Sequence, residues 1–500
     1  MKKPIWEPSP ERVERANLNR FVRYAREQTG NDDLRNYAAI YDFSIRHPER
    51  FWPLVWEFCG IRSTGTFHEV MVAGGHLAET RWFPGVRLNV AQNLLRFRDD
   101  RVALVARDAT GRWQETSYAQ LQQQVARIAA ALRAFGIRPG DRVAGLLDSG
   151  SEAVIAMLAS VAVGSLWSAL PPDADAAVLD GALRRLAPQA LFGTDAALAR
   201  CDSTPGVAVR IAIGTLPTAT ARWNELMDRD APVLTFEAAG FEQPLYALLR
   251  DDGEISLHSA GGTLIQHLKD LVLQADLKRE DRVLHAAAPH TPYWHWLTSA
   301  LAAGSTLVLA GADFDLAHAS AWDLVDEHAI SVIATDAEAL ARFAASPLAP
   351  NGTHKLLHLK SVLADGTPPT ADAVEQIYSR VKDRLMVSAC GGDAGGLSYL
   401  ALGCPLLPVH ADEVQCRGLG MRVDVLDDGG EPVIERPGTL ACRAPFPGLP
   451  LGFVDDDDDA RFLARYFSRH AQAWCGGERA QITAHEGVWF APSDGENAAA

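Results

Sequence analysis

Three histidines, His285, His290 and His295, recur every five residues, and imidazoles grouped in this way could hold a ligand or a metal ion. Five residues carry an α-helix about 140° past a full turn, so the three cannot share one helical face, and no metal site is expected of them. Cys390 stands beside Gly391 and Gly392. No base is paired with it in sequence, and a buried cysteine commonly serves as a small hydrophobe, so no catalytic residue is assigned. The run Asp455 to Asp459 reads as a solvated surface loop, because adjacent carboxylates repel and cannot share a dry site without cations. Arg250, Asp251, Asp252, Gly253 and Glu254 read as a tight surface turn in which three carboxylates face one guanidinium.

The elements that must position these groups alternate between helix and strand. Leu121, Val125, Ile128 and Leu132 recur at helical spacing within Ser117 to Phe135, and "GIRPGDRVAGLL" then reads as a turn and a buried strand. The pattern repeats with a helix opening near Ser151, a strand over Ser165 to Leu170, a helix near Ala176 to Leu186 and a short strand at Ala190 to Phe192. Ala153 to Leu170 carries no charge, yet Ser160, Gly164, Ser165 and Ser168 interrupt it and Pro171 and Pro172 end it. A helix, a glycine turn and a strand explain it better than a membrane span. Further strands are expected at Val283 to Ala287, Thr306 to Ala310, Ser331 to Ala334, Leu357 to Leu363 and Leu385 to Ser388. Such alternation predicts an α/β fold, two mostly parallel sheets covered by helices. After Leu400 the texture turns to short Gly- and Pro-punctuated strands, with "DDGG" placed as a hairpin turn in a smaller β-rich lobe. The expected divisions are an N-terminal helical and extended segment packing on the core (1–95), two α/β subdomains (96–240 and 241–400), the β-rich lobe (401–490) and a flexible tail (491–500).

With 48% hydrophobic and 22% charged residues, the chain is neither disordered nor of low complexity. Lys and Arg total 47 against 63 Asp and Glu, and a net charge of −16 argues against a nucleic-acid-binding surface. Seven cysteines without a CxxC argue against both a disulfide framework and a zinc knuckle. The sequence "MKKPIWEPSP" lacks the apolar core of a secretory signal, so a cytoplasmic location is expected.

Six strings then converge on one family. "FSIRHPERFWPLVWEFCGI" (Phe43 to Ile61), "WFPGVRLNVAQNLL" (Trp82 to Leu95), "GIRPGDRV" (Gly136 to Val143), "RGLGMRVDV" (Arg417 to Val425), "APFPGLPLGF" (Ala444 to Phe453) and "AWCGGERAQIT" (Ala473 to Thr483) resemble, in the same order, segments of the acyl-adenylate-forming synthetases. Within that family the likeness is to the acetoacetyl-CoA synthetases. The resemblance implies a reaction in two halves, in which a carboxylate attacks the α-phosphate of MgATP and CoA thiol then displaces AMP. It also implies a phosphate loop after the strand at Pro244, Leu245 and Tyr246, where this chain carries only the acidic turn without Ser, Thr or Lys. Like charges ~4 Å apart cost about 4 kcal/mol at an effective dielectric of 20, so a triphosphate would be repelled there.

By the same resemblance, Gly366, Thr367 and Pro368 match the adenine cradle, although Thr370 could equally make this an ordinary helix cap. Gly391, Gly392 and Asp393 match a Gly-Gly-Thr-Asp segment that lacks its threonine here, and Glu478 matches the ribose-binding acid. His290, Tyr293, Trp294 and His295, with His258 near them, match the acyl pocket. The family's arginine hinge and mobile C-terminal lobe find no counterpart after Ala491. The expected protein is therefore an acetoacetyl-CoA synthetase-like pseudoenzyme that has lost adenylation and binds a small molecule or a partner protein. No cofactor is expected beyond weak binding of AMP, ATP or CoA, and self-association stays open. Two alternatives are a working acetoacetate–CoA or related acid–thiol ligase, and an ATP-independent enzyme using His290, His295 and Asp393.

Overall fold

Ser117 opens the first long helix with a capping box: its side chain accepts the Gln120 N–H, and the Gln120 side chain reaches back to the Ser117 N–H. The helix spans Tyr118–Ala134 and buries Leu121, Val125, Ile128 and Leu132, the four residues its period predicts. The next helix, Ser151–Val163, buries nearly every side chain and ends on Gly164 at φ 84°, a conformation that favours glycine. It needs no polar face, because it packs against the Tyr118–Ala134 helix and against strands of both main sheets. The strand Leu166–Ala169 follows, so the uncharged stretch is helix, turn and strand. The computed structural model describes residues 3–491 except 109, 202–205, 312–313, 367 and 393–395. No helix among the described residues is long and apolar enough to cross a membrane.

Two large sheets flank that helical layer. One runs Ala221–Arg222, Val209–Ile213, Ala190–Thr194, Arg142–Leu146, Leu166–Ala169, Pro244–Leu249, Ile255–Ser259, Gly452–Phe453, parallel as far as Pro244–Leu249 and antiparallel beyond. The other runs Met386–Cys390, Ser361–Asp365, Val332–Asp336, Arg282–His285, Thr306–Leu309, Val102–Arg107, Trp113–Ser117, and only its last pair is antiparallel. The sheets interleave along the chain instead of dividing at residue 240. Val102–Arg107 and Trp113–Ser117 join the second sheet, whereas Pro244–Ser259 completes the first.

Local differences have identifiable causes. The strand expected from Leu357 begins only at Ser361, because the Lys382 ammonium gathers the carbonyls of Leu356 and Leu359 at 2.7 and 2.8 Å and holds that segment as a loop. The DDGG turn forms, with the Gly430 N–H on the Asp427 carbonyl at 3.0 Å, but Val423–Leu426 pairs mainly with Gly438–Cys442 in a four-stranded sheet. The acidic run is not wholly solvated. Asp456 is buried and accepts the Arg461 and Phe462 N–H groups at 3.1 and 2.9 Å, which starts the helix Ala460–Phe467. At the N-terminus, the helices Tyr37–Arg46 and Pro48–Phe58 pack on 417–421. The Gly420 N–H donates to Ser44 Oγ at 2.8 Å, and a Cβ on Gly420 would lie 2.5 Å from the Trp52 ring.

Candidate functional site

Strands Arg282–His285, Val332–Asp336, Ser361–Asp365 and Met386–Cys390 lie parallel in the second sheet, with Asp336, Asp365 and Cys390 in register at their carboxyl ends. In open α/β sheets the cleft outside those ends is where ligands bind. Residues 286–291, 366, 368–370 and 391–392 leave from that edge, which places His290, Gly366, Pro368, Gly391 and Gly392 along it.

Thr291 caps the helix Pro292–Thr298 by accepting the Trp294 N–H at 3.3 Å. This turns His295 inward, where its Nδ1 meets the Thr291 carbonyl at 3.0 Å and its ring lies edge-on to Tyr246 at 4.4 Å. His258, on the antiparallel strand Ile255–Ser259, sets its Nε2 3.0 Å from Ser256 Oγ. Burial pushes the imidazole pKa values down, to about 3 for His258 and about 4 for His295, each charged form being opposed further by a neighbouring histidine. His285 is held down to about 4 by burial and by His295, against the Trp294 carbonyl 3.2 Å from its Nε2. His267, which the sequence reading passed over, joins the group: Ser299 Oγ lies 2.8 Å from its Nδ1, and burial lowers it to about 3. His290 is only half-buried, and Asp173 and Asp251 pull its lowered pKa back up. The cluster is thus a neutral, acceptor-bearing interior with His290 at its mouth. Tyr293 and Trp294 take a different place from that expected. The Tyr293 hydroxyl donates to the Leu363 carbonyl at 3.1 Å and its ring stacks on Trp296, while Trp294 is fully buried; both serve as packing.

The Arg250–Glu254 turn links two antiparallel strands as expected, with the Gly253 N–H on the Arg250 carbonyl and the Arg250 N–H on the Glu254 carbonyl. Its charge balance differs from the linear reading. Glu254 meets Arg185 at 2.9 Å and Arg461 at 3.2 Å, and Asp252 meets Arg250 at 3.5 Å and Arg465 at 3.8 Å. Four guanidiniums, not one, face the turn. These pairs are partly exposed and individually weak, and Arg185 and Arg461 are shared with Asp455 and Asp456, so they offset only part of the repulsion that a phosphate would meet.

Thr370 does cap the helix Ala371–Arg380, accepting the Ala373 N–H at 3.3 Å. Thr367 and Asp393 lie outside the described residues. Gly391 exchanges two 3.0 Å hydrogen bonds with Ala401, Gly392 takes φ 72°, and a Cβ on Gly392 would strike Leu440. The Leu440 N–H donates to the Glu478 carbonyl at 2.9 Å, so Gly391, Gly392 and Glu478 lie near one another around Leu440. Asp365, the first residue of the segment through Thr370 that resembles the adenine cradle, lies at the same edge. Burial raises its carboxyl to about 6, against the Tyr399 hydroxyl that donates to it at 2.8 Å. A Cβ on Gly391 would stand 2.7 Å from the Gly366 carbonyl oxygen, too close to a backbone atom to be absorbed. Gly391→Ala is therefore expected to cost about 1–3 kcal/mol in urea unfolding and to shift the Gly366 backbone, with chemical-shift changes at Gly366 as the readout. An unchanged unfolding midpoint would contradict that close approach.

This two-sheet body with its cleft edge defines a class. The AMP-binding enzyme profile matches residues 90–241, and the profile for the acetyl-coenzyme A synthetase N-terminus matches residues 37–94. The chain is 32% identical to the acetoacetyl-CoA synthetase of Rattus norvegicus over 98% of its own length and 78% of that protein. It is 31% identical to acetoacetyl-coenzyme A synthetase of Rhizobium meliloti (strain 1021), over 97% and 78%. The solved structure of acetoacetyl-CoA synthetase from Streptomyces lividans superposes with a TM-score of 0.90 at 28% identity, covering 98% of this chain and 80% of that one. The chain belongs to the AMP-binding enzymes and, within them, to the acetoacetyl-CoA synthetase family. That coverage lends no support to the expectation that a mobile terminal lobe is lacking.

Proposed function

We propose that this chain is an acid–thiol ligase of the acetoacetate–CoA type, with a phosphate-facing turn of its own design. The observation that carries this reading is the end-to-end similarity, 32% identity across 98% of the chain. The arginine pairing of Asp252 and Glu254 weakens the electrostatic objection that the linear sequence raised. In the reaction, a carboxylate oxygen of the acid bonds to the α-phosphorus of ATP as pyrophosphate leaves. The CoA sulfur then bonds to the acyl carbon as AMP leaves. The test is acetoacetate-dependent ATP–pyrophosphate exchange, followed by thioester formation when CoA is added. Exchange well above the blank without acid is expected, and exchange no greater than that blank would refute the ligase reading.

One observation favours a second reading, a body that binds without adenylating. The turn spends its backbone donors internally: the N–H groups of Gly253 and Arg250 go to the turn's own carbonyls, and that of Glu254 goes to Asp252 Oδ1 at 3.1 Å. Donors already satisfied have less to offer a phosphate. Calorimetric titration with ATP, AMP, CoA and acetoacetyl-CoA separates the two readings. Heat of binding without exchange supports the second.

A further inference from the structure

Away from the cleft edge, the segment 408–414 meets the terminal hairpin of strands Arg479–Ile482 and Val488–Phe490. Val414 and Val488 form an antiparallel bridge, with N–H to carbonyl distances of 2.8 and 2.9 Å. That bridge sets His410 and Glu413 against His485. One ligand atom from each residue lies within 4.8 Å of the other two. The two imidazole rings are stacked, 3.8 Å between centroids and 9° from parallel, and His485 Nδ1 stands 3.1 Å from Glu413 Oε1. His410 is 8% exposed, and its Nδ1 is buried with no hydrogen-bond partner. The backbone makes room for the carboxylate, since a Cβ on Gly487 would lie 2.8 Å from the Glu413 carboxyl carbon.

We propose that His410, Glu413 and His485 form a binding site for one divalent transition-metal ion of the zinc class. Two imidazoles and a carboxylate suit Zn²⁺, Co²⁺ or Ni²⁺, whereas Mg²⁺ and Ca²⁺ take all-oxygen shells. Three protein ligands leave a fourth position open, and here it faces a hollow of about 330 Å³ lined in part by Asp412, Gln481, Thr483 and Trp489. Tetrahedral zinc sets its ligand nitrogens roughly 3.3 Å apart, so the stacked rings tilt from parallel to aim both lone pairs at one ion. The bound ion ties together two segments 72 residues apart in sequence. The cysteines, by contrast, are dispersed and buried among the described residues and form no such group there.

The test uses the full-length protein stripped with a chelator and then titrated calorimetrically with Zn²⁺ and, separately, Co²⁺. One ion per chain is expected, with a melting temperature that rises as free zinc increases, because the ion binds only the folded site. His410→Gln and His485→Gln are each expected to weaken zinc at least tenfold, while His68→Gln, at an exposed histidine elsewhere, leaves it unchanged. X-ray absorption on the zinc-loaded parent protein does not depend on variants folding, and it is expected to show nitrogen and oxygen neighbours with two imidazoles. Sulfur in that shell, zinc affinity unchanged from the parent in both histidine variants, or no uptake up to millimolar zinc would each overturn the site.

Discussion

Acidification from pH 7 to pH 5 is expected to remove on the order of 6 kcal/mol of unfolding free energy, a large part of what a domain ordinarily has. His258 and His267 are pushed down to about 3 by burial, and His285 and His295 to about 4. The unfolded chain takes up protons on these residues from about pH 6.5 downward, while the folded chain does not. The stability they contribute is therefore complete above pH 6.5 and drains away as the pH falls toward 4. At pH 5 the loss is about 2 kcal/mol for each of the four. Asp365, raised to about 6, works in the opposite direction, because the folded carboxyl binds its proton first as the pH falls. One group returning about 1.4 kcal/mol at pH 5 does not offset four. Urea unfolding midpoints measured at half-unit steps of pH check this. A midpoint that stays level between pH 7 and 5 would mean that the native cluster accepts protons, and that its histidines are open to solvent.

Lys269→Met is expected to cost about 3–5 kcal/mol, the usual consequence of stranding one member of a buried ion pair. Lys269 and Asp270 are adjacent, fully buried, and placed at the start of the π-helical stretch Lys269–Gln274. Lys269 Nζ stands 2.8 Å from Asp270 Oδ1 and donates to the Leu419 carbonyl at 2.9 Å, which anchors the 417–421 segment carrying Gly420. Burial raises the Asp270 carboxyl pKa, and Lys269 holds it down. With the ammonium gone, only the Trp296 side chain is left to offset the desolvation of that carboxylate. The double replacement Lys269→Met with Asp270→Leu is expected to recover most of the loss, since apolar groups of similar volume often substitute for a buried pair at little cost. Denaturant midpoints for the two singles and the double form the cycle. A double variant as unstable as the two singles combined would show that the residues do not act as a unit.

The chain's own order of apolar residues determined the α/β alternation, the helices from Tyr118 and Ser151, the strands at Thr306 and Met386, and the N-terminal packing segment. It could do so because period, caps and glycine turns act within a few residues of one another. The likeness of six ordered strings was likewise legible in one dimension. Only the tertiary structure decided the charge of the Arg250–Glu254 turn, because Arg185, Arg461 and Arg465 arrive from a helix and a lobe far along the chain. It also decided that Tyr293 and Trp294 pack inward and that His267 joins the histidines. The buried Lys269–Asp270 pair likewise comes to light only in the folded chain, since a linear reading places adjacent charges at the surface. His410-x-x-Glu413 was a visible fragment of the metal group, but its third member waits 72 residues away. Electrostatic pairing and ligand sets depend on distance through space, and distance along the chain carries almost no information about it once the sheets have interleaved.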